Sequence, residues 1–554
     1  MVWGTLLVLV VYPALETLAR SLIDQGTLSL KAYQRFFIES EEGSRLVPGI
    51  GLLALGGSLV VSCASVFLAA LIGIPLAFLV ERNRFPGRNW LASLAFLPLT
   101  LPPIVGVVSF DLIFSEAGIL PRCLALLFGL DQPPFYLSGR DGVIAIHGYS
   151  FFPFFFFLVS NALREMDNSL IEASRSLGMS RWRTLLLIEF PMLIPALYGA
   201  AIMVFMASMA SFSAPLLFDV EGLYLSTYIY NLKTQDLWQD AFTATTLFMG
   251  ASLSMLLFLR FLRGSRHYQP LGKGVPRKPW KAQSLPARCC LGILAWAVLI
   301  LLLLPHLGIL LWSFTQDGSW TWQLLPPGYT LENYRRILGL ADISTDIVQP
   351  VRNSTWMAGI ATLANLAFGI AAAFLLKARS AGNKAITDLL VMLPWALPGT
   401  VIAINLLVTF GQPSLLTLGL NLSQTAWLLP MAYFIRNIPL VVRPLAAAWE
   451  QVGESVEEAA RSLGAGRLRT LRTVSIPLLF PALVGGGLLA FVTALGEFIA
   501  SAILFTPGNK PISVAIFGEF HAGAYGLCSA YGVFLILLIG AVMLIGGRSS
   551  QRIV

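Results

Sequence analysis

The chain has 554 residues, of which 56% are apolar and only 12% are charged. This is more apolar material than a soluble core needs, so the composition excludes an ordinary water-soluble domain and favours a membrane protein. The net charge of +8 does not indicate a nucleic-acid partner, because the basic residues lie in short loops between apolar blocks.

Apolar blocks follow one another along the chain, and each is long enough for an α-helix to cross a bilayer core of about 30 Å. They predict an all-α polytopic membrane protein with about twelve transmembrane helices. The first six spans are predicted near residues 2–23, 53–80, 89–113, 141–163, 192–217 and 241–262. The other six are predicted near residues 289–312, 353–376, 385–409, 425–447, 478–504 and 527–546. We interpret the first block as a retained helix rather than a signal peptide, because it lacks a basic leader.

Basic residues predict the orientation. Most of the 37 Lys and Arg residues fall in the cytoplasmic loops if both termini are cytoplasmic, as the positive-inside rule requires. The stretch from Arg260 to Arg288 is basic, contains no acidic residue and is rich in Gly and Pro. It predicts a cytoplasmic linker, 266–288, between domains 1–265 and 289–554, with anionic lipid headgroups of the bilayer as neighbours.

The two halves repeat each other. The segment from Leu97 to Pro102 matches the segment from Leu393 to Pro398, with prolines at equivalent places. The segment from Glu172 to Gly178 matches the segment from Glu458 to Gly464, and a proline follows each at the same distance, Pro191 and Pro477. Each half has an even number of predicted spans, so both copies face the same way, as in a parallel repeat.

The repeated cytoplasmic segment resembles the motif of ATP-binding-cassette importer permeases: Glu-Ala-Ala, three residues, Gly, nine residues, then an apolar stretch ending in Pro. Both copies keep the spacing, although Ser174 replaces the second Ala. The residues that by this resemblance contact the ATPase are Glu172, Ala173, Ser174, Gly178, Pro191, Glu458, Ala459, Ala460, Gly464 and Pro477.

The resemblance implies the type I importer transmembrane fold, with coupling loops 164–191 and 449–477. Each loop would dock on one of two copies of a cytoplasmic ATPase, and ATP and Mg²⁺ would be bound by those subunits. No cofactor or metal site is expected on this chain. A periplasmic or extracellular solute-binding protein would deliver the solute, and the location would be a bacterial inner membrane.

The motif also has a physical interpretation. Small residues on a short helix let another protein surface approach closely. Gly178 and Gly464 follow the helical segment where a left-handed cap would lie, a conformation that disfavours residues with a Cβ atom. The alternative is a pair of ordinary amphipathic loops at the membrane surface. Elsewhere, we expect Pro98, Pro102 and Pro103 to kink a helix rather than break it. The alternative, indicated by their repetition at Pro394 and Pro398, is a broken helix near the solute path.

No catalytic constellation is present in the sequence. There is no Gly-rich loop ending in Gly-Lys-Ser/Thr, so we expect a transport subunit rather than an enzyme. The four histidines have no metal-ligand spacing, and His147 is expected to be a packed or hydrogen-bonded helix residue.

The fused halves resemble permeases of the ferric iron, thiamine and phosphonate group, and ferric iron is the favoured solute. Sulfate, molybdate and polyamine permeases usually have separate halves. The function implied is a permease that moves a small solute by alternating access. A twelve-span secondary transporter and a passive channel are the alternatives.

Few charged residues lie deep within predicted spans: Asp111 in the third, Arg436 and Arg443 in the tenth, and Glu497 in the eleventh. The repeat places Ser211 opposite Glu497 and Phe212 opposite Phe498, so these four residues are candidates for the solute path or an outer gate. The alternative is that Glu497 reaches the outer interface and is solvated.

Overall fold

The computed structural model describes residues 2–24, 26–42, 45–262, 280–281, 285–320, 323, 325–340, 347–377, 381–452 and 454–551. The described residues are mostly helical. Most of the predicted linker, 266–279 and 282–284, lies outside them. The long helices of the first half are Val2–Ser21, Ile50–Arg82, Pro103–Phe128 with a break at Ser115, Gly139–Glu165, Arg181–Met209 and Trp238–Leu262. Those of the second half are Leu285–Ser313, Gln349–Lys377, Ala381–Ala396 followed by Gly399–Phe410, Leu428–Gln451, Leu471–Leu495 and Tyr525–Gln551.

Shorter elements join the long helices. The short helices are Lys31–Phe37, Arg88–Leu94, Leu97–Thr100, Asn168–Ser176, Ser213–Phe218, Leu225–Thr234, Glu332–Ile337, Leu422–Gln424, Glu454–Ser462, Arg467–Thr470, Ile499–Leu504, Pro507–Asn509 and Ile512–His521. Two antiparallel ribbons pair Ile23–Asp24 with Thr27–Leu28 and Ile38–Glu42 with Arg45–Pro48. A third, parallel pairing joins Asn83–Arg84 to Trp280–Lys281, which lie in the predicted linker.

Among the described residues, nine helices are long and apolar enough to cross a membrane, and a tenth span results if the bent pair Lys384–Ala396 and Gly399–Phe410 is counted as one. The sequence predicts about twelve spans. The two remaining long helices, Trp238–Leu262 and Leu428–Gln451, occupy the sixth and tenth predicted positions. The second of these carries Arg436 and Arg443 along its length, which makes it more polar than a simple lipid-facing span.

Two predicted spans contain proline breaks, so the expectation that these prolines only kink a helix is wrong. The backbone is extended at Leu101 and again at Pro398 (ψ 149°), and the second-half helices meet at 104° across this break. Proline has no N–H to donate and restricts the residue before it to extended conformations, so each helix stops there. The span predicted at 89–113 therefore consists of three helices, Arg88–Leu94, Leu97–Thr100 and Pro103–Phe114, and the span predicted at 385–409 consists of two.

The fifth and eleventh spans begin earlier than predicted. A single helical run from Arg181 to Met209 contains a π turn at Leu185–Glu189, two residues before Pro191. The second half has the same arrangement, with a π turn at Leu471–Ser475 ahead of Pro477. These prolines lie inside the helices rather than at their starts, because the wider turn accommodates a residue that lacks an N–H donor.

The first helix of each half packs on the opposite half. Val2–Ser21 lies against Gly399–Phe410, and Leu285–Ser313 lies against Pro103–Phe114. Trp3 Nε1 donates to Thr387 Oγ1 at 2.8 Å, and the Tyr149 hydroxyl donates to the Leu302 carbonyl at 2.8 Å. The largest core cluster contains residues of both halves, so the interface between them is a packed interior.

Candidate functional site

Two short helices at the same end of the molecule carry the repeated motif. They are Asn168–Ser176 and Glu454–Ser462, and we call them the coupling helices. The Asp167 carboxylate caps the first by accepting from the Ser169 N–H at 2.9 Å. The motif therefore folds as a helix in both halves.

Both coupling helices end in the same way. Gly178 has φ +81° and Gly464 has φ +83°, so the predicted left-handed conformation of the two glycines is confirmed. The Met179 N–H donates to the Ser174 carbonyl at 3.1 Å, and the Ala465 N–H donates to the Ala460 carbonyl at 3.1 Å. This is the six-to-one hydrogen bond of a Schellman cap.

The tip of each coupling helix presents an apolar side chain to solvent. Leu177 is 85% exposed and Leu463 is 90% exposed, each one residue before the capping glycine. The motif residues Glu172 and Glu458 are also exposed. An exposed leucine and an exposed carboxylate on the same short helical segment, present in both halves, form a surface suited to contact with another protein.

Ser174 does not belong to that surface. It is buried, donates to the Ile171 carbonyl at 2.8 Å and lies 3.2 Å from the Thr184 hydroxyl. A partner therefore cannot reach Ser174 as predicted, whereas Ala173 and Ala459 are exposed and stay predicted contacts. The Ser174 side chain instead ties the first coupling helix to the helix that begins at Arg181.

Ion pairs brace the first coupling loop against neighbouring helices. Arg82 Nη2 lies 2.8 Å from Glu189 Oε2 in the π turn, and Arg164 Nη2 lies 2.6 Å from Glu81 Oε1. The repeat places Ser475 at the position of Glu189, so the second loop lacks this carboxylate.

The second half has its own ion pair near its coupling loop. Lys384 Nζ lies 2.7 Å from Glu450 Oε1, and its hydrogen bond lowers the pKa of the Glu450 carboxyl.

The four candidate gate residues lie at two further helix breaks. One helix ends at Met209 and the next begins at Ser213, and in the second half the break falls between Leu495 and Ile499. The spans predicted at 192–217 and 478–504 are therefore not continuous. Serine hydroxyls satisfy the freed carbonyls: Ser226 donates to Ser211 O at 2.7 Å, and Ser513 donates to Glu497 O at 2.7 Å.

The repeat-related phenylalanines at these breaks meet each other. The ring centroids of Phe212 and Phe498 are 5.7 Å apart, and both side chains are fully buried. A Cβ atom added to Gly496 would lie 3.2 Å from Pro102 Cβ, so the break in the second half also touches the proline break in the first. The two aromatic rings therefore fill the interface between the halves beside these helix breaks.

Glu497 is buried and paired. Its side chain is 6% exposed, Oε2 lies 3.1 Å from Arg436 Nε, and Oε1 accepts from the Ala500 N–H at 3.0 Å. The alternative that Glu497 is a solvated surface carboxylate is wrong. Any Cβ atom on Gly399 would collide with the Arg436 guanidinium, so this glycine makes room for the pair.

The uncharged partner of Glu497 has a different network. The Ser211 hydroxyl lies 2.8 Å from His147 Nε2, and His147 Nδ1 lies 2.9 Å from the Ser208 hydroxyl. The prediction that His147 is a hydrogen-bonded helix residue is confirmed. The repeat therefore places an ion pair on one side of the aromatic pair and a neutral histidine–serine network on the other.

Arg436 is the functional residue that the sequence did not connect to its partner. It was recognised as a charge within the tenth span, but nothing in the repeat specifies which carboxylate it meets. The signal available was the presence of embedded bases in the tenth span and an embedded acid in the eleventh, because such charges are stable in a membrane chiefly as pairs.

These features define a polytopic membrane transport component built from two related halves. The chain belongs to the family of binding-protein-dependent transport system inner membrane components, whose model matches residues 69–265 and 365–554. The predicted resemblance, the two-repeat helical fold and the function as an importer permease are thereby confirmed. The family also excludes the secondary-transporter alternative.

Three relatives illustrate the family. A probable ABC transporter permease protein y4fN of Sinorhizobium fredii is 28% identical over 99% of this chain and 95% of the relative. The ferric transport system permease protein FbpB of Actinobacillus pleuropneumoniae is 28% identical over 87% of this chain and 69% of its own length. The sulfate transport system permease protein CysT of Salmonella typhimurium is 32% identical over 35% of this chain and 75% of its own length.

Proposed function

We propose that this chain is the fused two-domain permease subunit of an ATP-driven importer that moves ferric iron. Two copies of a cytoplasmic ATPase and a periplasmic solute-binding protein complete the transporter. The observation that carries this proposal is the pair of coupling helices with the same cap and the same exposed leucine. Two matching docking surfaces fit two copies of one partner.

The ATPase is assigned to separate subunits. This sequence has no phosphate-binding loop, so ATP and Mg²⁺ bind to the partners and not to this chain. Each ATPase would contact Leu177 or Leu463 and the neighbouring motif carboxylate. The hydrogen bond between Ser174 and Thr184 then links movement of the first coupling helix to the membrane helix that follows.

Ferric iron is supported by the length of the match to a named ferric permease. That relative aligns with 87% of this chain, so it shares both halves, whereas the sulfate permease aligns with 35% and corresponds to a single half. The solute-binding protein selects the solute, and the permease provides the gated path. Thiamine, phosphonate, polyamine and sulfate are the competing solutes.

The aromatic pair and the ion pair form the gate in this proposal. Phe212 and Phe498 close the interface between the halves, and the Arg436–Glu497 pair holds one of the two breaks in place. When the ATPases close, the halves rotate relative to each other and the rings separate. Alternating access then requires the breaks to move as hinges.

The orientation completes the proposal. Coupling loops must face the ATPase, so they are cytoplasmic, and both termini share that side. The inner membrane of a bacterium is the location that the family description supports. The basic residues of the cytoplasmic loops agree with this orientation.

A pull-down from native membranes tests the assembly. The tagged wild-type chain should retain an ATPase and a solute-binding protein, and that protein should bind Fe³⁺. The double variant Glu172→Ala/Glu458→Ala should retain several-fold less ATPase, because one carboxylate is lost at each docking surface.

The control is Glu221→Ala/Glu332→Ala, which removes two exposed acidic residues from the predicted outer side. It should retain a normal amount of ATPase. Normal ATPase recovery together with normal uptake in the motif variant would reject the docking assignment. A captured binding protein specific for another solute would reject ferric iron alone.

A further inference from the structure

A basic cavity lies in the first half, beside the loop that carries the first coupling helix. Its volume is about 680 Å³, and it is lined by the end of Ile50–Arg82, the following short helix Arg88–Leu94 and the end of Gly139–Glu165. Four arginines line it: Arg82, Arg84, Arg88 and Arg164. Neither the proposed transport path nor the ATPase contact uses this cavity.

The cavity carries excess positive charge. Arg88 and Arg164 share one carboxylate, that of Glu81, at 3.5 and 2.6 Å, while Arg82 pairs with Glu189 at 2.8 Å. Arg84 is exposed and forms no ion pair with any residue in the described part of the chain. Four guanidinium groups therefore face two carboxylates, which favours an anionic ligand.

An apolar surface adjoins the basic cavity. It is formed by Gly87, Trp90, Ala295, Trp296 and Leu299, of which Gly87 and Trp90 also line the cavity. Trp90 is 65% exposed and Trp296 is 48% exposed, as is typical of tryptophans at the level of lipid headgroups. A ligand that spans both sites needs an anionic head and an apolar tail.

The apolar surface continues along the exposed side of the helix Leu285–Ser313. Ile293 is 70% exposed and Ile300 is 56% exposed on this helix, beside the buried Ala295 and Leu299. Exposed apolar side chains therefore border the basic cavity. The positive charge and the adjoining apolar surface together match the anionic headgroup and the acyl chain of a membrane lipid.

We propose that this cavity binds one anionic phospholipid, with the phosphate among the arginines and an acyl chain against the exposed Trp90 and Trp296. The parallel pairing of Asn83–Arg84 with Trp280–Lys281 lies at the edge of the same cavity. Basic pockets of this kind between membrane helices on the cytoplasmic side recognise phosphate-bearing headgroups.

The second half does not repeat the site. The repeat places Glu450 at the position of Arg164, and Glu450 is already paired with Lys384. One strong lipid site per chain is therefore expected rather than two.

Native mass spectrometry of the full-length chain, delipidated in detergent, tests this proposal. Phosphatidylglycerol, phosphatidylcholine and inorganic phosphate are titrated separately. Wild type should retain one phosphatidylglycerol with at least about tenfold preference over phosphatidylcholine, and inorganic phosphate should not displace it. Arg84→Gln/Arg164→Gln should bind phosphatidylglycerol about tenfold more weakly or worse, because two of the basic groups are lost.

The matched control is Lys31→Gln/Arg335→Gln, which removes two exposed charges from the predicted outer side and should bind lipid as wild type does. Arg84→Gln alone, at an exposed position, should also weaken binding without disturbing the fold. Equal affinity for both lipids, or wild-type affinity in the Arg84 variants, would overturn the proposal. Displacement by inorganic phosphate would show that the ligand is free phosphate and not a lipid.

Discussion

At the scale of single residues, the Arg436–Glu497 pair distinguishes the two halves most sharply. The carboxylate is buried and accepts one backbone N–H, while the arginine is 28% exposed, so the pair lies at the border of the protein interior. Removing one member of such a pair leaves the other without compensation, which costs more than removing both. The pair therefore stabilises one conformation of the break at Gly496 to Phe498.

We expect Glu497→Gln to lower uptake several-fold without reducing the amount of assembled complex. Glutamine keeps an oxygen to accept from the Ala500 N–H but no longer neutralises Arg436. Uptake and ATP hydrolysis are measured together in proteoliposomes containing the whole transporter. The double variant Arg436→Gln/Glu497→Gln removes the uncompensated charge and should recover part of the coupling. Wild-type transport by the single variant would show that the pair has no part in gating.

At the scale of elements, the coupling helices depend on two glycines for their shape. A Cβ atom at Gly178 or Gly464 would meet no heavy atom within 4 Å, so any penalty arises from backbone conformation and not from a clash. A left-handed residue with a Cβ atom costs about 1 to 2 kcal/mol. A β-branched side chain is worse, whereas asparagine tolerates this conformation.

Gly178→Val and Gly464→Val should each reduce transport while leaving the protein in the membrane. The cap would shift, and the exposed Leu177 or Leu463 would no longer face its partner in the same way. Gly178→Asn and Gly464→Asn are the matched controls, because they add a side chain but permit the left-handed cap. Transport rates and ATPase copurification are compared across the four variants. Equal impairment by valine and asparagine would attribute the effect to size and not to conformation.

The elements also show how much the sequence could predict. The coupling helices and their caps followed from a motif with fixed spacing, because a local signal such as glycine after a helix specifies local geometry. At Leu101 and Pro398 the sequence indicates a break only as the alternative to a kink, since proline in a membrane helix is compatible with a kink if neighbours satisfy the freed carbonyls. The breaks beside Phe212 and Glu497 contain no proline, and their serine partners come from other segments. A hydropathy profile cannot reveal such contacts between segments that are distant in sequence.

At the scale of the whole molecule, the parallel repeat requires both coupling loops on one side of the membrane. The domain boundaries 1–265 and 289–554 remain predictions. So does the cytoplasmic location of both termini, which depends on the distribution of Lys and Arg. The two-fold arrangement itself follows from helices that pack in equivalent pairs, Ile50–Arg82 on Gly139–Glu165 and Gln349–Lys377 on Leu428–Gln451.

Cysteine labelling in intact cells tests the orientation. In a background in which Cys63, Cys123, Cys289, Cys290 and Cys528 are replaced, a membrane-impermeant reagent should reach Tyr329→Cys but not Arg181→Cys. Both positions are exposed, so only the membrane separates their reactivity. After lysis the two should label equally. Labelling of position 181 before lysis would invert the topology and remove the basis for ATPase docking.

The packing of the first helix of each half against the opposite half has a consequence for the synthesis of the chain. Trp3 bonds to Thr387, which is synthesised 384 residues later. At about 5 to 20 residues per second, the ribosome needs on the order of 20 to 80 s to cover that distance. During this time Val2–Ser21 has only the contacts of its own half, chiefly Trp238–Leu262, and the surface meant for Gly399–Phe410 faces lipid. The helix that is synthesised first is thus among the last to form its final contacts.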